Sequence, residues 1–372
     1  MNGFGFGFSQ TVSLWTMFNI CVSSVAFQMH MTKMSNGPSL SNPWSMLSSK
    51  LKSNARDWFI NRAERLGIPW KNTTLQYTAP NTMLDLEGFK KQLEDTSLEY
   101  PHYYTQPFHG YDNGNLEWNA AYEGESATSS VTADYWKGVN YSMASQWMRY
   151  NMSQRVHHYL SGECGLWKPS IRTILDVGCS IGISTEYLGN SFKQAHVIGL
   201  DLSPYFLSVA KYRTERDGTN LQYLHANAES IPFQDESIDM VSCNFLFHEV
   251  PYGPRMNILR EIYRVLKPHG IVAILDLDPR RVEKQLEFNP FRKWGFELTE
   301  PHIYDYYVHN MADSLIDSGF EKVCQVPNDP INALWMGKKS VLNVHTFPIR
   351  PENELFGFGT IPKSNTLATV DV

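Results

Sequence analysis

The chain has 372 residues, 42% of them hydrophobic and 13% aromatic, enough to bury one large core with additions or two smaller ones. Its formal net charge of −6 supplies no basic footprint, which argues against DNA or bulk RNA as a partner. The cysteines Cys21, Cys164, Cys179, Cys243 and Cys324 stand far apart without CxxC or Cys/His ligand spacing, so they read as ordinary thiols rather than a disulfide framework or a zinc site.

Residues 1–56 contain no Asp or Glu but carry Lys33, Lys50, Lys52 and Arg56, so the rest of the chain is more acidic than the total implies. Within this Ser- and Met-rich leader, residues 14–27 (LWTMFNICVSSVAF) form an apolar run too short to span a bilayer comfortably. It ends in VSSVA, a small-residue pattern that signal peptidase accepts. An apolar core followed by an acid-free basic stretch opening on Phe27 resembles the bipartite plastid-targeting leaders of algae with secondary plastids, although no Lys or Arg precedes the run. That resemblance implies a plastid protein with no integral membrane segment in the mature chain; a cytoplasmic or secretory destination is the alternative.

Residues 57–165 form a second region. The pattern predicts short helices over 57–66 and 84–93 and a longer one over 133–160, where Trp136, Val139, Tyr141, Met143, Trp147, Tyr150, Val156 and Tyr159 spread over a broad face. Between them, residues 100–122 (YPHYYTQPFHGYDNGNLEWNAAY) are rich in aromatics, Gly and Asn and keep no period of 2 or 3.6. Such a loop either packs on the main domain as a cover or lines a pocket for a flat or apolar ligand.

Over residues 166–338 strand and helix alternate. TILDVG reads as a buried strand, STEYLGNSF as a helix, HVIGLDLS as a second strand, and PYFLSVAKYRTERDG as a helix capped by Ser203 with Pro204 at its first position. LQYLHANAE reads as a third strand, IDMVSCNFLFHEV as a fourth with its turn, PRMNILREIYRVLKPHG as a helix ended by Pro268 and Gly270, and IVAILDLD as a fifth strand. A polar and aromatic insertion with Phe288, Phe291, Trp294, Tyr304, Tyr306 and Tyr307 precedes a helix near 311–318, after which FEKVCQV and NALWMGK read as a closing antiparallel pair. Residues 339–372 read as an irregular tail. Alternation at this spacing predicts a doubly wound α/β domain whose mostly parallel sheet is covered on both faces, with ligands at the carboxyl ends of its strands.

The stretch LDVGCSIGIST at residues 175–185 carries the first chemical signal. A dinucleotide fingerprint asks for three glycines, and the positions hold Gly178, Ser180 and Ile183, so two are missing; no GK[ST] follows, which removes the P-loop reading. Asp176 stands two residues before the first glycine, where a carboxylate repels a pyrophosphate and attracts a cationic amine, directly or through water. Asp201, at the end of HVIGLD, is placed as strand-two carboxylates that grip ribose hydroxyls are placed. Ribose, an amino group and no phosphate describe S-adenosyl-L-methionine.

LDVGCSIGIST, VIGLDLSPYFLSVA, HANAESIPFQDESIDMVSCNFLFHEVP and LREIYRVLKPHGIVAILDLDP, in that order, resemble the successive motifs of class I S-adenosylmethionine-dependent methyltransferases of the type 11 group. The flanking aromatic segment is similar to plastid-type methyltransferase-domain proteins of plants, cyanobacteria and algae. The resemblance implies a seven-stranded sheet and a loop of Asp176, Gly178, Cys179, Ser180 and Gly182 against the methionine part. It further implies Asp201 on the ribose, Leu202 against the adenine, Asn227, Ala228 and Glu229 beside the adenine, and Asn244 bordering the sulfonium. Many relatives carry an acid at position 227, where Asn accepts only through its amide oxygen.

A sulfonium is already an activated donor, so a base is needed only for an acceptor proton of high pKa. The expected base is His248, in FHEV after strand four, with Glu249 orienting it; His157, His158, Tyr304 and Tyr307 are weaker candidates, and a loop-anchoring role for His248 is the alternative. No metal site is expected. Two aromatic covers over one site suggest a small, partly apolar acceptor such as a phenol, quinone, isoprenoid or pigment. The competing readings are a binding protein that keeps the cofactor without turnover and a nucleotide-dependent oxidoreductase. Nothing in the sequence fixes the oligomeric state.

Overall fold

The computed structural model describes residues 49–133, 135–162, 170–286 and 300–340, with side chains from Arg56 onward except at 285 and 286. The apolar leader run, Cys21, Cys164, Phe288, Phe291, Trp294 and the tail beyond 340 lie outside the described residues.

Strands β1 (Thr173–Val177), β2 (His196–Asp201), β3 (Gln222–His225), β4 (Ile238–Asn244), β5 (Leu266–Leu277), β6 (Phe320–Pro327) and β7 (Asn332–Lys339) form one sheet in the order β3-β2-β1-β4-β5-β7-β6. β1 to β5 pair in parallel, and β7 runs antiparallel between β5 and β6. The central strands are nearly continuous apolar runs because both faces are covered: Ile174, Leu175, Val177, Met240, Val241 and Ile271 to Leu275 are all buried. This is the doubly wound, Rossmann-like architecture of class I methyltransferases, and the order reverses between β1 and β4, so a crevice opens at the carboxyl ends of those two strands.

The helices after the cap begin with α6 (Ile183–Ser191), α7 (Pro204–Asp217) and α8 (Tyr252–Val265). α7 starts as its sequence requires: the Ser203 hydroxyl accepts from the Phe206 N–H at 3.2 Å, and Pro204 follows. It ends on Gly218 at φ +62. α8 stops at Val265, short of the expected end: Pro268 disfavors the helical conformation at Lys267, and Leu266 already has ψ 134 and opens β5. β3 likewise ends at His225, where the next N–H, that of Ala226, turns back to the Asp201 carbonyl. α9 (Pro279–Leu286) and α10 (Ile303–Val308) follow β5 within the segment read as an insertion, and α11 (Met311–Asp317) lies where expected.

The N-terminal region is more helical than its pattern suggests: α1 (Ser49–Arg65), α2 (Trp70–Tyr77), α3 (Pro80–Leu93), α4 (Trp118–Thr132) and α5 (Tyr141–Gly162). The long helix begins at Tyr141, leaving Trp136 and Val139 outside, since Gly138 sits at φ +76 and the Asn140 side chain accepts from the Met143 N–H to cap the new start. α4 was not legible because, apart from Tyr122, it buries small and polar residues with no apolar period: Ala120, Ala121, Glu123, Ser126, Ser130 and Thr132. It packs with Tyr77 and Leu86 onto Ile181, Phe206 and Val209, so the helical cap rests on the glycine loop itself. Arg213 on α7 reinforces the joint, reaching Glu125 on α4 at 2.7 Å and Glu186 on α6 at 2.9 Å.

Within the loop Gly178, Ser180 and Gly182 all have positive φ. A Cβ on Gly182 would lie 2.5 Å from the Tyr223 hydroxyl and 3.0 Å from Ala210 Cβ, whereas one on Gly218 would meet nothing within 4 Å. Gly218→Ala should therefore cost only the left-handed backbone strain, about 1 kcal/mol, and Gly182→Ala that strain plus overpacking, about 2–4 kcal/mol. Urea unfolding of the two variants beside the parent measures the difference; equal losses would contradict the packing account.

Candidate functional site

β1 carries Asp176 to the sheet edge in register with Gly199 of β2 and Ser242 of β4. The side chain is fully buried beneath the loop. Its Oδ2 accepts from the Ser184 and Thr185 hydroxyls at 2.6 and 2.8 Å, and its Oδ1 accepts from the Asn244 amide at 3.2 Å. Direct contact with a ligand, one of the two modes expected for Asp176, is closed in this arrangement; its charge acts through the Ser184 and Asn244 groups that it orients. Asp201, at the tip of β2, accepts from the Ser180 N–H at 2.7 Å on Oδ2 and from the Ser203 N–H at 2.8 Å on Oδ1. The Leu202 N–H also stabilizes this carboxylate, and of its about four lone-pair positions room is left for hydroxyl donors. Burial pushes both carboxyls up to about 6, with the hydrogen bonds opposing it, and the charge of Asp176 adds to the rise at Asp201.

Every hydrogen-bond donor to these two acids is neutral: hydroxyls, an amide and backbone N–H groups. The pair is thus a center of buried negative charge that a cationic ligand complements. Cys179 is buried beside them and its thiol is pushed far up by burial, which makes it an inert filler. The glycines have a protein-internal reason as well, since a Cβ on Gly178 would press on Leu246 and one on Gly182 on Tyr223.

The aromatic segment folds over the same edge as a cover. Tyr103 donates to Glu229 Oε1 at 2.9 Å, and Asn257 of α8 donates to Oε2 at 3.0 Å, so Glu229 bridges the cover to the domain. Asn227 uses its amide oxygen to accept from the Glu229 N–H at 2.9 Å, and Ala228 packs against the core. His225 accepts from the Asp95 N–H at 2.9 Å on Nδ1 and lies 3.0 Å from the Leu202 carbonyl through Nε2. Ser203 donates to the Asn115 carbonyl at 2.6 Å. Tyr104 is close enough to both Asp201 and Glu249 that, after burial, their charges are the main reasons its hydroxyl holds its proton so tightly. One ring of the cover therefore stands between the two halves of the site.

The second half lies past β4 and β5. His248 is buried, its Nδ1 is 2.6 Å from Asp276 Oδ1, and Asp276 Oδ2 accepts from the Phe247 and His248 N–H groups at 2.9 and 3.3 Å. Asp276, not Glu249, orients the imidazole; Glu249 Oε1 stays 4.0 Å from Nε2. Burial alone would lower the pKa of His248, but the charge and hydrogen bond of Asp276, aided by Glu300 and Glu249, raise it to about 10. Near neutrality an imidazole so placed favors its protonated form over the free base. Burial lifts Glu249 to about 7 against the pull of His109 and His248. His109, from the cover, contacts Glu300 Oε1 at 3.0 Å and Glu249 Oε1 at 3.8 Å.

Asp276, Glu300 and His109 were not singled out in the sequence. A signal existed for Asp276, an acid next to the end of an otherwise apolar strand; Glu300 and His109 are joined only by the fold. Of the weaker candidates, His157 stacks on Phe192 behind α6, Tyr304 is exposed, and Tyr307 lies beside Tyr306. Tyr306 is buried and donates to the Leu277 carbonyl at 2.8 Å. Among the described residues no group of three His, Cys, Asp or Glu side chains is arranged to hold a metal, and no helix is long and apolar enough to cross a membrane.

Comparison with known proteins agrees with this geometry. Residues 175–274 match the family model described as a methyltransferase domain. A demethylmenaquinone methyltransferase of Listeria monocytogenes is 40% identical over 108 residues, 28% of this chain and 44% of the relative. A ubiquinone/menaquinone biosynthesis C-methyltransferase of Bartonella quintana is 32% identical over 170 residues, 43% of this chain and 64% of the relative. The chain thus spans between 44% and 64% of the length of these curated relatives. A SAM-dependent methyltransferase from Aquifex aeolicus aligns at a TM-score of 0.37 and 20% identity, over 51% of this chain and 92% of that one. The segment matched, 175–274, is the one that holds the glycine loop, Asp201, Asn227 to Glu229, Asn244 and His248.

Proposed function

We propose that the protein transfers a methyl group from S-adenosyl-L-methionine to a small, partly apolar or aromatic acceptor. The observation that carries this reading is the convergence, on one sheet edge, of the neutral-donor carboxylate pair Asp176 and Asp201 with the charged His248–Asp276 pair beneath an aromatic cover. The residues fit the cofactor. Asp201 has lone pairs left for a diol, the loop 178–182 presents backbone, and Asn227, Ala228 and Glu229 border the next strand end, as the family resemblance implies for the adenine. Leu202 lies beside them, and Asn244, held by Asp176, lines the approach to the acceptor half.

When bound, the cofactor supplies a sulfonium methyl that needs no further activation. The chain has then to orient the acceptor, exclude water and manage one proton at most. The cover does the excluding through Tyr103, Tyr104 and His109, and His248 presents a fixed positive charge. The similarity to a demethylmenaquinone methyltransferase and to a ubiquinone/menaquinone biosynthesis C-methyltransferase supports an aromatic acceptor here. The plastid address read in residues 1–56 belongs to the same proposal; a fluorescent fusion of that leader should enter plastids of a secondary-plastid alga, and a diffuse cytoplasmic signal would remove it.

Calorimetry with S-adenosylmethionine, S-adenosylhomocysteine and NADH separates the cofactor classes: the adenosyl ligands should bind and NADH should not. Asp201→Ala should weaken S-adenosylhomocysteine by tenfold or more, as expected for hydrogen bonds to a charged group. The sign of the pH dependence follows from the raised pKa values. Both acids take up protons as pH falls through about 6, and protons compete with a cationic ligand. S-adenosylmethionine affinity should hence drop from pH 7 to pH 5 by up to about tenfold per unit for each acid, more than for neutral S-adenosylhomocysteine. A flat profile would show that these carboxylates do not sense the ligand. Labelled methyl donor incubated with plastid extract and the protein should yield a small labelled product, and its absence alongside normal cofactor binding would favor a binding protein without turnover.

A further inference from the structure

The acceptor half of the site contains a mismatch that the cofactor half does not explain. Glu300 is 6% exposed, and while its Oε1 pairs with His109 Nε2 at 3.0 Å, its Oε2 is buried with no hydrogen-bond partner. An unpaired carboxylate oxygen of this kind costs free energy and signals a group that is meant to arrive. Across from it, at 3.9 Å, lies His248 Nε2, too far for a direct hydrogen bond. The other ring nitrogen is committed: Asp276 Oδ1 takes Nδ1 at 2.6 Å and the Leu277 N–H at 2.7 Å, and its Oδ2 takes two more backbone N–H groups. Asp276 so placed is an acceptor only, which fixes the proton on Nδ1. Nε2 faces two carboxylate oxygens, Glu249 Oε1 at 4.0 Å and Glu300 Oε2 at 3.9 Å, so it carries a proton too and is a donor.

A free donor and a free acceptor 3.9 Å apart call for one group that both accepts and donates. An oxygen set off the line between them lies about 2.7–2.9 Å from each, the ordinary hydrogen-bond range. An ether or ketone leaves Glu300 unpaired, and an ammonium leaves His248 unpaired. We infer that Glu300 Oε2 and His248 Nε2 together seat a hydroxyl group of the acceptor, with His248 donating to its oxygen and Glu300 receiving its proton. In that step the acceptor O–H bond breaks, the proton passes to Glu300, and the electron pair stays on the oxygen under the His248 hydrogen bond or spreads into a conjugated ring. Glu300 is thereby the proton acceptor that His248 cannot be, and Asp276 is a positioning residue.

The later fate of that oxygen rests on the methyl-transfer reading, but the hydroxyl seat does not need the cofactor to be tested. With the full chain and no cofactor, 4-nitrophenol is titrated at a pH about one unit below its own pKa, where the free probe is mostly neutral. The bound probe should absorb as phenolate, and 4-nitroanisole, which has the ring without the hydroxyl, should bind at least about tenfold more weakly. Glu300→Gln should abolish the phenolate band, Glu300→Asp should restore part of it, and His248→Gln should weaken binding about tenfold or more. S-adenosylhomocysteine affinity, measured on each variant, checks that the fold is intact. An unchanged probe spectrum on the parent protein, equal binding of nitroanisole, tighter binding of 4-nitrobenzylammonium, or a phenolate band that survives Glu300→Gln in a variant with normal S-adenosylhomocysteine affinity would each overturn the seat. Loss of S-adenosylhomocysteine binding with the phenolate band retained would instead remove the cofactor reading and leave the hydroxyl seat standing.

Discussion

The carboxylate of Asp176 ties together three elements: β1, which carries it, the first turn of α6 through Ser184 and Thr185, and the tip of the neighboring strand β4 through Asn244. It does so without exposure to solvent, and its raised pKa measures what burial costs a charge held only by neutral donors. Hydrogen bonds to an ionized group are each worth about 1.5–3 kcal/mol, so three of them offset much of that penalty. The geometry of the glycine loop follows from this anchor. With α6 fixed on one side and Leu200 accepting from the Gly178 and Cys179 N–H groups on the other, the backbone must turn at residues 178, 180 and 182 with positive φ. Two of those three positions are glycine, and at Gly182 the neighboring Tyr223 and Ala210 leave no room for anything larger.

The cap extends the same logic outward. α4 presses small residues onto Ile181 of the loop, and the aromatic segment then crosses the carboxyl ends of the strands, making one polar contact to nearly every element it passes: His225 at the end of β3, Glu229, Ser203 and Glu300. A lid held by many individually modest hydrogen bonds, each worth about 1 kcal/mol, can be ordered and still part without breaking the core. Such a lid suits a site that must be dry when loaded and open when exchanging ligands.

Much of this was legible in the sequence, and the failures share a cause. The strands of the sheet were readable because strands buried on both faces are continuous apolar runs, and Ser203, Pro204 and Gly218 punctuate α7 in the conventional way. Residues Asp176 and Asp201 declared themselves by being acids at the ends of such runs. α4 was invisible because, Tyr122 apart, it buries small and polar residues rather than an apolar stripe, and the start of α5 was misplaced because one glycine interrupts a continuous aromatic pattern. The orientation of His248 was attributed to its sequence neighbor Glu249, whereas the structure uses Asp276, 28 positions away on the adjacent strand. Adjacency in sequence is a poor guide where a strand end and a turn from different units meet. Glu300 and His109, separated by 191 positions, have no local signal at all; only their meeting gives them meaning.

The contrast between the two halves of the site is a contrast in how charge is compensated. On the cofactor side the acids Asp176 and Asp201 are held by neutral donors, so the missing positive charge has to come from a ligand. On the acceptor side His248 already brings its own positive charge, fixed by Asp276, and Glu249, Glu300 and His109 surround it. A second cation there would face a like charge, and an anion would face three carboxylates. In a region of low dielectric either mismatch is expensive, so the acceptor that enters most easily is neutral and acquires charge only after it is bound. Charge that develops inside a site already arranged around it needs no reorganization at the moment of reaction, and this preorganization is how such a pocket lowers a barrier.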